Sequence, residues 1–280
     1  YFCVTKSLKS VTVSSQFDGG NIEVVSISSP QDIQLNIRKD TQSDFYQWFY
    51  FRVNGVDDEL LKLTINNASG AAYAQGWEGY QCCYSVDQQT WLRADTQYVE
   101  GKLTVSVQVQ HHHVYFAYFA PYSYERHLQQ LSLYQQSALC EEQVLTQTAQ
   151  GRDLSLLKIG LAEKQQHQIW LIARQHPGET MAQWYMEGLI QRLLNPNDAV
   201  ATALLAHCNF FLVPNMNPDG SALGNLRVNS CGANLNRHWQ EPDQQQAVEV
   251  FATRQAMHTY GVDFFLDVHG DEALPYIFTA

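Results

Sequence analysis

The stretch Gln168-Ile169-Trp170-Leu171-Ile172-Ala173-Arg174-Gln175-His176-Pro177-Gly178-Glu179 decides the fold of the C-terminal part of the chain. Its first half, Gln168–Ala173, is a short apolar run and predicts a buried strand. The following residues, Thr180–Leu194, carry large apolar side chains near helical spacing and predict a helix. A buried strand that leads into a helix indicates a sheet covered by helices, where ligands bind at the carboxyl ends of the strands. His176 and Glu179 lie in that position.

The same alternation of strands and helices continues on both sides of this stretch. We predict helices over Tyr124–Gln136, Asp198–Ala206 and Pro242–Tyr260, and buried strands over Asn209–Val213 and Val262–Val268. Residues 123–280 are therefore predicted to form an α/β domain with an α/β/α layer order.

Residues 1–122 have a different pattern and are predicted to form a separate domain. Closely spaced segments rich in Val, Ile, Phe and Tyr alternate apolar with polar residues, as in Leu103–Val109, and turn residues such as Asn54-Gly55 separate them. Strands are predicted over Asn21–Ser28, Asp32–Arg38, Gln47–Val53, Leu60–Ile65, Leu103–Gln110 and Val114–Ala120. An antiparallel β-sandwich is the fold that this pattern favours.

Composition excludes several classes of protein. Hydrophobic residues make up 45% of the 280 residues, which is enough for a large core and excludes intrinsic disorder. The net charge of −11 argues against a general binder of nucleic acid or anionic membranes, and no apolar run of about 20 residues predicts a membrane span. The six cysteines are irregularly spaced and form no C-x-x-C pair, so we expect reduced thiols in a cytoplasmic protein.

Three residues at predicted strand ends have the chemistry of metal ligands. His176 and Glu179 share one strand-to-helix turn, and His269 ends the predicted strand Val262–Val268, 93 residues after His176. Considered alone, the pair His176 and Glu179 favours an ordinary surface role, and His269 is equally compatible with a residue that caps a strand. Together they form a set of two histidines and one glutamate, which leaves the fourth position of a zinc ion open, as a catalytic site requires.

Two arginines lie between the candidate ligands. Arg227 and Arg237 are ten residues apart in a stretch rich in Asn and Gly that follows the sequence Asn217-Pro218-Asp219-Gly220. The guanidinium group matches the geometry of a carboxylate and stabilises an oxyanion beside a metal. Two solvated surface arginines are the alternative interpretation of this stretch when it is considered without the metal ligands.

The order of these motifs resembles the zinc metallocarboxypeptidases. H-x-x-E, N-P-D-G, R-x-N-x-x-G-x-[DN]-L-N-R and a strand ending in His follow one another over about residues 170–280. Three segments before them are similar to the N-terminal β-sandwich of the cytosolic carboxypeptidase subfamily: Trp48–Val53, Tyr84–Trp91 and Phe119–Tyr124. The resemblance implies a peptide hydrolase with one zinc ion bound by His176, Glu179 and His269.

Further roles are implied by the same resemblance. Arg227 would polarise the scissile carbonyl and stabilise the oxyanion, while Asn236 and Arg237 would hold the free C-terminal carboxylate of the substrate. The partners would be C-terminal tails of peptides or proteins, and the subfamily removes acidic residues, notably glutamate. Asn234 stands where many members have Asp; it can accept a hydrogen bond from the first histidine ligand but carries no charge, so we expect modestly weaker metal binding.

The general base of the family is expected outside the sequence given. The resemblance implies a glutamate well downstream of the last ligand, whereas the sequence continues for only eleven residues after His269. We therefore expect the chain to be the front portion of a longer enzyme, and neither Asp271 nor Glu272 matches the position of the base. Two other functions stay open: an N-acyl amino acid deacylase with the same metal ligands, and a non-catalytic module that binds carboxylate tails.

Overall fold

The structure is a computed structural model that describes residues 11–56, 58–160, 167–274 and 276–279. It divides into two compact units, of which the first comprises Tyr1–Arg38 and Tyr46–Ala120. The second comprises Pro121–Ala280 together with Lys39–Phe45. The predicted division at residue 122 assigns this short N-terminal segment to the first domain, whereas its contacts lie with the second unit.

The first unit contains two five-stranded sheets within the described residues. The strands are β1 (Thr12–Ser14), β2 (Glu23–Ser29), β3 (Asp32–Asn36), β4 (Tyr50–Asn54), β5 (Glu59–Ile65), β6 (Cys83–Ser85), β7 (Leu92–Arg93), β8 (Asp95–Val99), β9 (Lys102–Val109) and β10 (His113–Ala117). One sheet has the order β1-β4-β10-β6-β7 and the other β2-β3-β5-β9-β8. The short strands β1, β6, β7 and β8 are absent from the sequence prediction.

Alternating burial shows why these segments form a β-sandwich. In β9, Leu103, Val105 and Val107 are buried while Lys102 and Gln108 are exposed, so one face of the strand lies on the core. The predicted sandwich is confirmed, with one difference: β3 and β5 pair in parallel. The strand between them in sequence, β4, belongs to the other sheet, so the chain leaves the sheet after β3 and re-enters it at β5 in the same direction.

The second unit is built on one mixed sheet with the order β11-β12-β14-β13-β15. The strands are β11 (Cys140–Gln147), β12 (Asp153–Ile159), β13 (His167–Ala173), β14 (Cys208–Val213) and β15 (Phe264–Val268). β13 is parallel to both β14 and β15, whereas β11, β12 and β14 are joined by antiparallel pairs. The sequence prediction lacks β11 and β12; β11 is an edge strand made largely of polar residues and has no apolar run.

Helices cover both faces of this sheet, and the predicted α/β/α domain is confirmed. They are α1 (Tyr124–Tyr134), α2 (Thr180–Leu193), α3 (Ala199–Leu205), α4 (Pro218–Leu223) and α5 (Val248–Tyr260). On one face, residues of α1, α2 and α3, among them Met186, pack on Leu171 and Leu212. On the other face, Val250 of α5 packs with Trp170 of β13. Adjacent residues of β13 thus contribute to two separate cores.

The predicted start of the last helix is wrong by six residues, because a turn precedes it. The Asp243 carboxylate accepts hydrogen bonds from the backbone N–H groups of Gln245 and Gln246, and its carbonyl accepts one from Ala247. The helix α5 therefore begins only at Val248. Within the described part of the chain, every helix is too short or too polar to cross a membrane.

The described cysteines carry no disulfide bond. Cys82, Cys83, Cys140, Cys208 and Cys231 are free thiols, and Cys3 lies outside the described residues.

Candidate metal centre and the adjoining loop

The order of the strands brings the candidate metal ligands to one edge of the sheet. β13 and β15 are parallel neighbours whose register pairs Ala173 with Val268. His176 follows the first strand by three residues, and His269 follows the second directly. Because parallel strands end at the same edge, two histidines 93 residues apart in sequence become neighbours in space.

Glu179 lies between the two imidazole rings. Its Oε1 atom is 2.7 Å from His176 Nδ1, and its Oε2 atom is 2.8 Å from His269 Nδ1. One ligand atom from each of the three residues can be chosen so that all lie within 4.8 Å of one another. The backbone N–H of Gly270 donates to Glu179 Oε2 at 2.9 Å, which holds the carboxylate toward His269.

The far nitrogen of each ring faces an oxygen acceptor. His176 Nε2 is 3.2 Å from Asn234 Oδ1, and His269 Nε2 is 2.8 Å from Asp267 Oδ2. With a metal bound at Nδ1, such acceptors would receive the ring proton carried on Nε2. The structure therefore puts Asn234 where the expected partner of the first histidine ligand would be.

This donor set fits a divalent cation. Both nitrogens of both rings face oxygen atoms, and satisfying all of them with protons alone would require two imidazolium ions with ring centroids 4.9 Å apart. A cation between the two Nδ1 atoms and the carboxylate satisfies the same atoms without that repulsion. Two imidazole nitrogens and one carboxylate oxygen are the ligands found at catalytic zinc sites.

Proton affinities in the cluster show how strongly its groups interact. Burial raises the pKa of Glu179, but hydrogen bonds from His176 and His269 outweigh it and hold this pKa at about 2. Burial lowers the pKa of His269, whereas Asp267 and Glu179 raise it to about 10. Protons and a metal ion therefore compete for the same atoms, and metal affinity should fall as the pH falls.

Two further side chains orient His269 and are missing from the sequence analysis. Gln175, which is fully buried, donates from Nε2 to Asp267 Oδ2 at 2.6 Å and accepts at Oε1 from Trp239 Nε1 at 2.8 Å. Asp267 could have been found, since strand residues two apart share a face and it precedes His269 by two. Gln175 gives no such signal, because its contacts depend on the tertiary fold.

The loop that carries His176 and Glu179 is held by a buried arginine. Arg174 adopts a left-handed φ of 59° and donates to the carbonyls of Pro177 and Tyr122, and to Gln183 Oε1. Gln183 in turn donates from Nε2 to His127 Nδ1 of α1 at 3.1 Å. These bonds link the ligand loop to the helices that cover the sheet.

Residues 225–239, which follow α4, form a largely irregular loop that is organised by Asn229 and by Asp219 of α4. Asn229 Oδ1 accepts from the backbone N–H groups of Cys231 and Ala233, and its Nδ2 donates to the carbonyl of Gln246. The fully buried Asp219 accepts hydrogen bonds from Thr148 Oγ1, Gln150 N, Arg152 Nη1 and Ser230 Oγ. In this loop, side chains thus provide the hydrogen-bond partners that backbone groups provide in helices and strands.

The predicted substrate-binding residues occupy different parts of this loop. Arg227 is half-buried, and the carbonyl of Leu226 before it accepts a 2.9 Å bond from Gly178 N in the ligand loop. Asn236 and Arg237 belong to a 3-10 turn, where exposed Arg237 donates from Nη1 to the Asn236 carbonyl. The structure brings the three predicted metal ligands and Asn234 together; the roles of Arg227, Asn236 and Arg237 stay predictions.

Comparison with known proteins agrees with this geometry. Residues 124–278 match the profile of the zinc carboxypeptidase family, and residues 13–119 match that of the cytosolic carboxypeptidase N-terminal domain. An uncharacterized protein of Zymomonas mobilis is 47% identical over 268 residues, covering 96% of this chain and 70% of that protein. Cytosolic carboxypeptidase 1 of Gallus gallus is 30% identical over 276 residues, covering 82% of this chain but only 22% of that protein.

A solved structure shows the same fold over nearly the whole chain. The metallo-carboxypeptidase of Pseudomonas aeruginosa, in complex with (2-guanidinoethylmercapto)succinic acid, is 42% identical and superposes with a TM-score of 0.92. The match covers 95% of this chain and 71% of that one. Fold, donor set and sequence agree, and the chain belongs to the zinc carboxypeptidase family of peptide hydrolases, with an N-terminal domain of the cytosolic carboxypeptidase type.

Proposed function

We propose that this protein, in its full-length form, is a zinc-dependent metallocarboxypeptidase that removes C-terminal residues from peptides or proteins. The convergence of His176, Glu179 and His269 at one sheet edge is the observation that carries this proposal. When bound there, a zinc ion supplies Lewis-acid polarisation of a carbonyl and activation of a water molecule. The chain itself contributes the fixed geometry of the three ligands.

Arg227 is proposed to stabilise the negative charge that develops on the scissile carbonyl oxygen. Its turn is hydrogen-bonded to the loop between His176 and Glu179, which supports a position next to the reacting bond. A donor held in place before the reaction begins is worth more in the transition state than in the ground state. Arg227 should therefore affect kcat more than substrate binding.

Asn236 and Arg237 are proposed to bind the free carboxylate of the substrate, which restricts the enzyme to the last residue of a chain. The exposed guanidinium of Arg237 is able to make a bidentate pair with such a carboxylate. Asp271, by contrast, accepts hydrogen bonds from the backbone of Ala273 and Leu274. That role as a turn cap argues against Asp271 as the general base.

We further propose that the preferred terminal residue is acidic, with glutamate first, and that the enzyme acts in the cytoplasm. The Pseudomonas aeruginosa relative binds a succinic acid derivative that carries two carboxyl groups and one guanidino group, which supports recognition of a carboxylate by this fold. The named relatives with this domain arrangement are cytosolic carboxypeptidases. Because the chain has a net charge of −11, recognition of acidic tails would depend on local cations such as Arg227 and Arg237.

The test is steady-state hydrolysis of peptides that end in glutamate, with either a free or an amidated C-terminus. We expect cleavage of the free form only, a raised KM in Arg237→Ala and a lowered kcat in Arg227→Ala. The loss of one charge-assisted hydrogen bond of this kind should change the affected constant, KM or kcat, by about 10-fold to 100-fold. Equal cleavage of free and amidated peptides would contradict the exopeptidase assignment.

The deacylase alternative is separated by substrate. An N-acyl amino acid deacylase with the same metal ligands would hydrolyse N-acyl glutamate or N-acyl aspartate faster than a glutamate-ending peptide. The match of residues 13–119 to the N-terminal domain of cytosolic carboxypeptidases favours the peptidase. A protein that binds glutamate-ending peptides but hydrolyses neither substrate would instead be a carboxylate-binding module.

A further inference from the structure

One short segment of the N-terminal half of the chain belongs to the unit that carries the metal ligands. Lys39–Phe45 lies in sequence between β3 and β4, yet it groups with Pro121–Ala280. It is a closed loop, since Asp40 N donates to the Phe45 carbonyl at 2.8 Å and Ser43 N donates to the Asp40 carbonyl at 3.3 Å. The loop therefore holds the side chain of Asp40 in a defined direction.

The Asp40 carboxylate is buried against the backbone of the turn that carries Arg227. Its two oxygens accept hydrogen bonds from the consecutive N–H groups of Leu226, Arg227 and Val228 at 2.6, 2.7 and 3.2 Å. Only 4% of Asp40 is exposed. Successive backbone N–H groups that converge on one anion form a nest, and charge-assisted bonds of this kind are about twice as strong as neutral ones.

Other contacts lock the same loop to the same turn. Thr41 donates from both its backbone N–H and its hydroxyl to Asn225 Oδ1, at 3.1 and 3.2 Å. Asn225 also donates from Nδ2 to the Val228 carbonyl and so closes the turn around Arg227. Gly232 has a φ of 80°, and a Cβ there would come within 2.9 Å of the Gln42 carbonyl oxygen. The loop and the turn are thus packed backbone to backbone.

The Arg227 side chain is also in contact with this loop. Its guanidinium carbon is 5.4 Å from the centroid of the Phe45 ring, within the range of a cation–π interaction. On its other side, the turn is bound to the ligand loop through the bond from Gly178 N to the Leu226 carbonyl. Asp40 and Phe45 therefore act on the backbone and the side chain of one residue that lies beside the metal ligands.

We propose that Asp40 is a positioning residue for Arg227, and that the loop Lys39–Phe45 sets the direction of the Arg227 guanidinium toward the substrate carbonyl. Asp40 touches neither the substrate nor the metal; it acts through the three amides of Leu226–Val228. The kinetic part of this inference rests on the proposed carboxypeptidase function, whereas the ordering of the turn does not. A catalytic group misplaced by about 1 Å loses on the order of 100-fold in rate, so the effect should be measurable.

The first experiment measures hydrogen exchange of the backbone amides of Leu226, Arg227 and Val228 in the full-length protein. In Asp40→Ala these amides should exchange at least about tenfold faster than in the wild type, because their shared acceptor is lost. Asp40→Asn, which keeps the size of the side chain but not its charge, should give an intermediate rate and serves if the alanine variant does not fold. The matched control is Asp44→Asn, since Asp44 lies in the same loop but is exposed and paired with Lys39.

The second experiment is a double-mutant cycle on peptide hydrolysis. Asp40→Asn should lower kcat by about 10-fold to 100-fold with little change in KM, while Asp44→Asn leaves both unchanged. In an Arg227→Ala background, Asp40→Asn should have no further effect on kcat, because Arg227 is the residue through which it acts. A purely structural role would lower kcat by the same factor in both backgrounds.

The two experiments separate the failure of the proposal from that of the proposed function. A wild type that hydrolyses no peptide would overturn the carboxypeptidase assignment, and hydrogen exchange would still decide whether Asp40 orders the turn. Unchanged exchange of Leu226–Val228 in Asp40→Ala, or additive effects in the cycle, would overturn the positioning role.

Discussion

Two regions of the second unit meet beside the metal ligands, and they are built in different ways. The first, the ligand edge, consists of the residues directly after β13 and β15, and the register of two parallel strands positions it. The second, the arginine loop of residues 225–239, has little regular structure and depends on side chains that bind backbone groups, such as Asp40 and Asn229. Many backbone bonds support the ligand edge, whereas a few polar side chains support the loop.

The two regions should respond differently to a single substitution. A strand pair distributes its stability over a ladder of bonds, so a single substitution at the ligand edge should remove a ligand and leave the sheet intact. Next to the loop, the buried carboxylate of Asp219 in α4 accepts hydrogen bonds from four donors at once, one of them Ser230 of the loop, and removing it deprives all four of this acceptor. We therefore expect function to be lost without unfolding at the ligand edge, and stability to be lost in the loop.

The largest expected effect tests the ligand edge. His269→Ala should reduce bound zinc from close to one ion per chain to almost none, a loss in affinity of more than about 100-fold, because a direct ligand contributes more than a supporting residue. Metal content by atomic emission and the circular dichroism spectrum should show a metal-poor but folded protein. The matched control is His258→Ala on the exposed side of α5, which should retain the ion. Full zinc content in the His269 variant would remove this residue from the site.

The next effect tests Asp219 of α4, a buried carboxylate that helps to support the loop through Ser230. Asp219→Ala should lower the free energy of unfolding by about 3–5 kcal/mol, the usual cost of breaking a buried ion pair by removing one partner. Urea unfolding followed by tryptophan fluorescence measures this change, with exposed Asp153→Ala in β12 as the control. If Asp219→Ala were no more destabilising than Asp153→Ala, the contrast between the two regions would be wrong.

Acidification should lower the free energy of unfolding by a somewhat smaller amount than Asp219→Ala does. The group concerned is His127, which accepts a hydrogen bond from Gln183 and so helps to hold the ligand edge. Burial, with a contribution from the charge of Arg174, lowers the pKa of His127 from 6.5 to about 4. Between these values the unfolded chain binds more protons than the folded one, so stability is present above pH 6.5 and falls as the pH drops toward 4. The loss attributable to this group is about 3 kcal/mol.

The measurement is urea unfolding of the wild type and of His127→Gln at pH 7 and at pH 4.5. The glutamine variant should lose less stability on acidification, because it carries no group that takes up the proton. Identical losses in both proteins would show that His127 does not titrate in this way.

The smallest effect concerns the contact between the two regions, where Asn234 of the loop faces His176 of the ligand edge. Asn234→Asp would place a charged acceptor 3.2 Å from His176 Nε2 and should tighten zinc binding by less than about tenfold. Competition with a chelator of known affinity measures the change, and Asn236→Asp in the same turn is the control. Weaker zinc binding in the Asn234 variant would show that the neutral amide is the better partner here.

The sequence alone was sufficient to predict the ligand edge and much of the fold around it. An apolar run followed by His or Glu is a local signal, and parallel strands bring such positions together whatever the loops between them do. The longer helices of the second unit and the alternating strands of the first were predicted for the same reason, since their periodicity is local, whereas the six-residue helix α4 is too short to show a period and was missed. The start of α5 was missed because the Asp243 turn imitates the beginning of a helix.

The sequence was sufficient to predict where the arginine loop lies, but not which contacts hold it in place. Asp40 is 186 residues from Leu226, and nothing in the residues around it distinguishes it from exposed Asp44 four positions later. Gln175 likewise gives no sign that it links Trp239 to Asp267. Bonds between a side chain and a distant backbone have no periodicity, so only the folded chain shows them.

The glycines beside the ligands bear on how the protein would exchange its metal. A side chain at Gly178 would meet Leu226, and one at Gly270 would meet Met181 of α2, so the loops are already in contact through protein atoms. These contacts do not involve the ion, so removal of the metal by a chelator should leave the three ligands in place for an ion to bind again. Reconstitution with cobalt, a spectroscopically visible substitute for zinc, should then proceed at the rate of ion diffusion and dehydration, with no slow refolding phase.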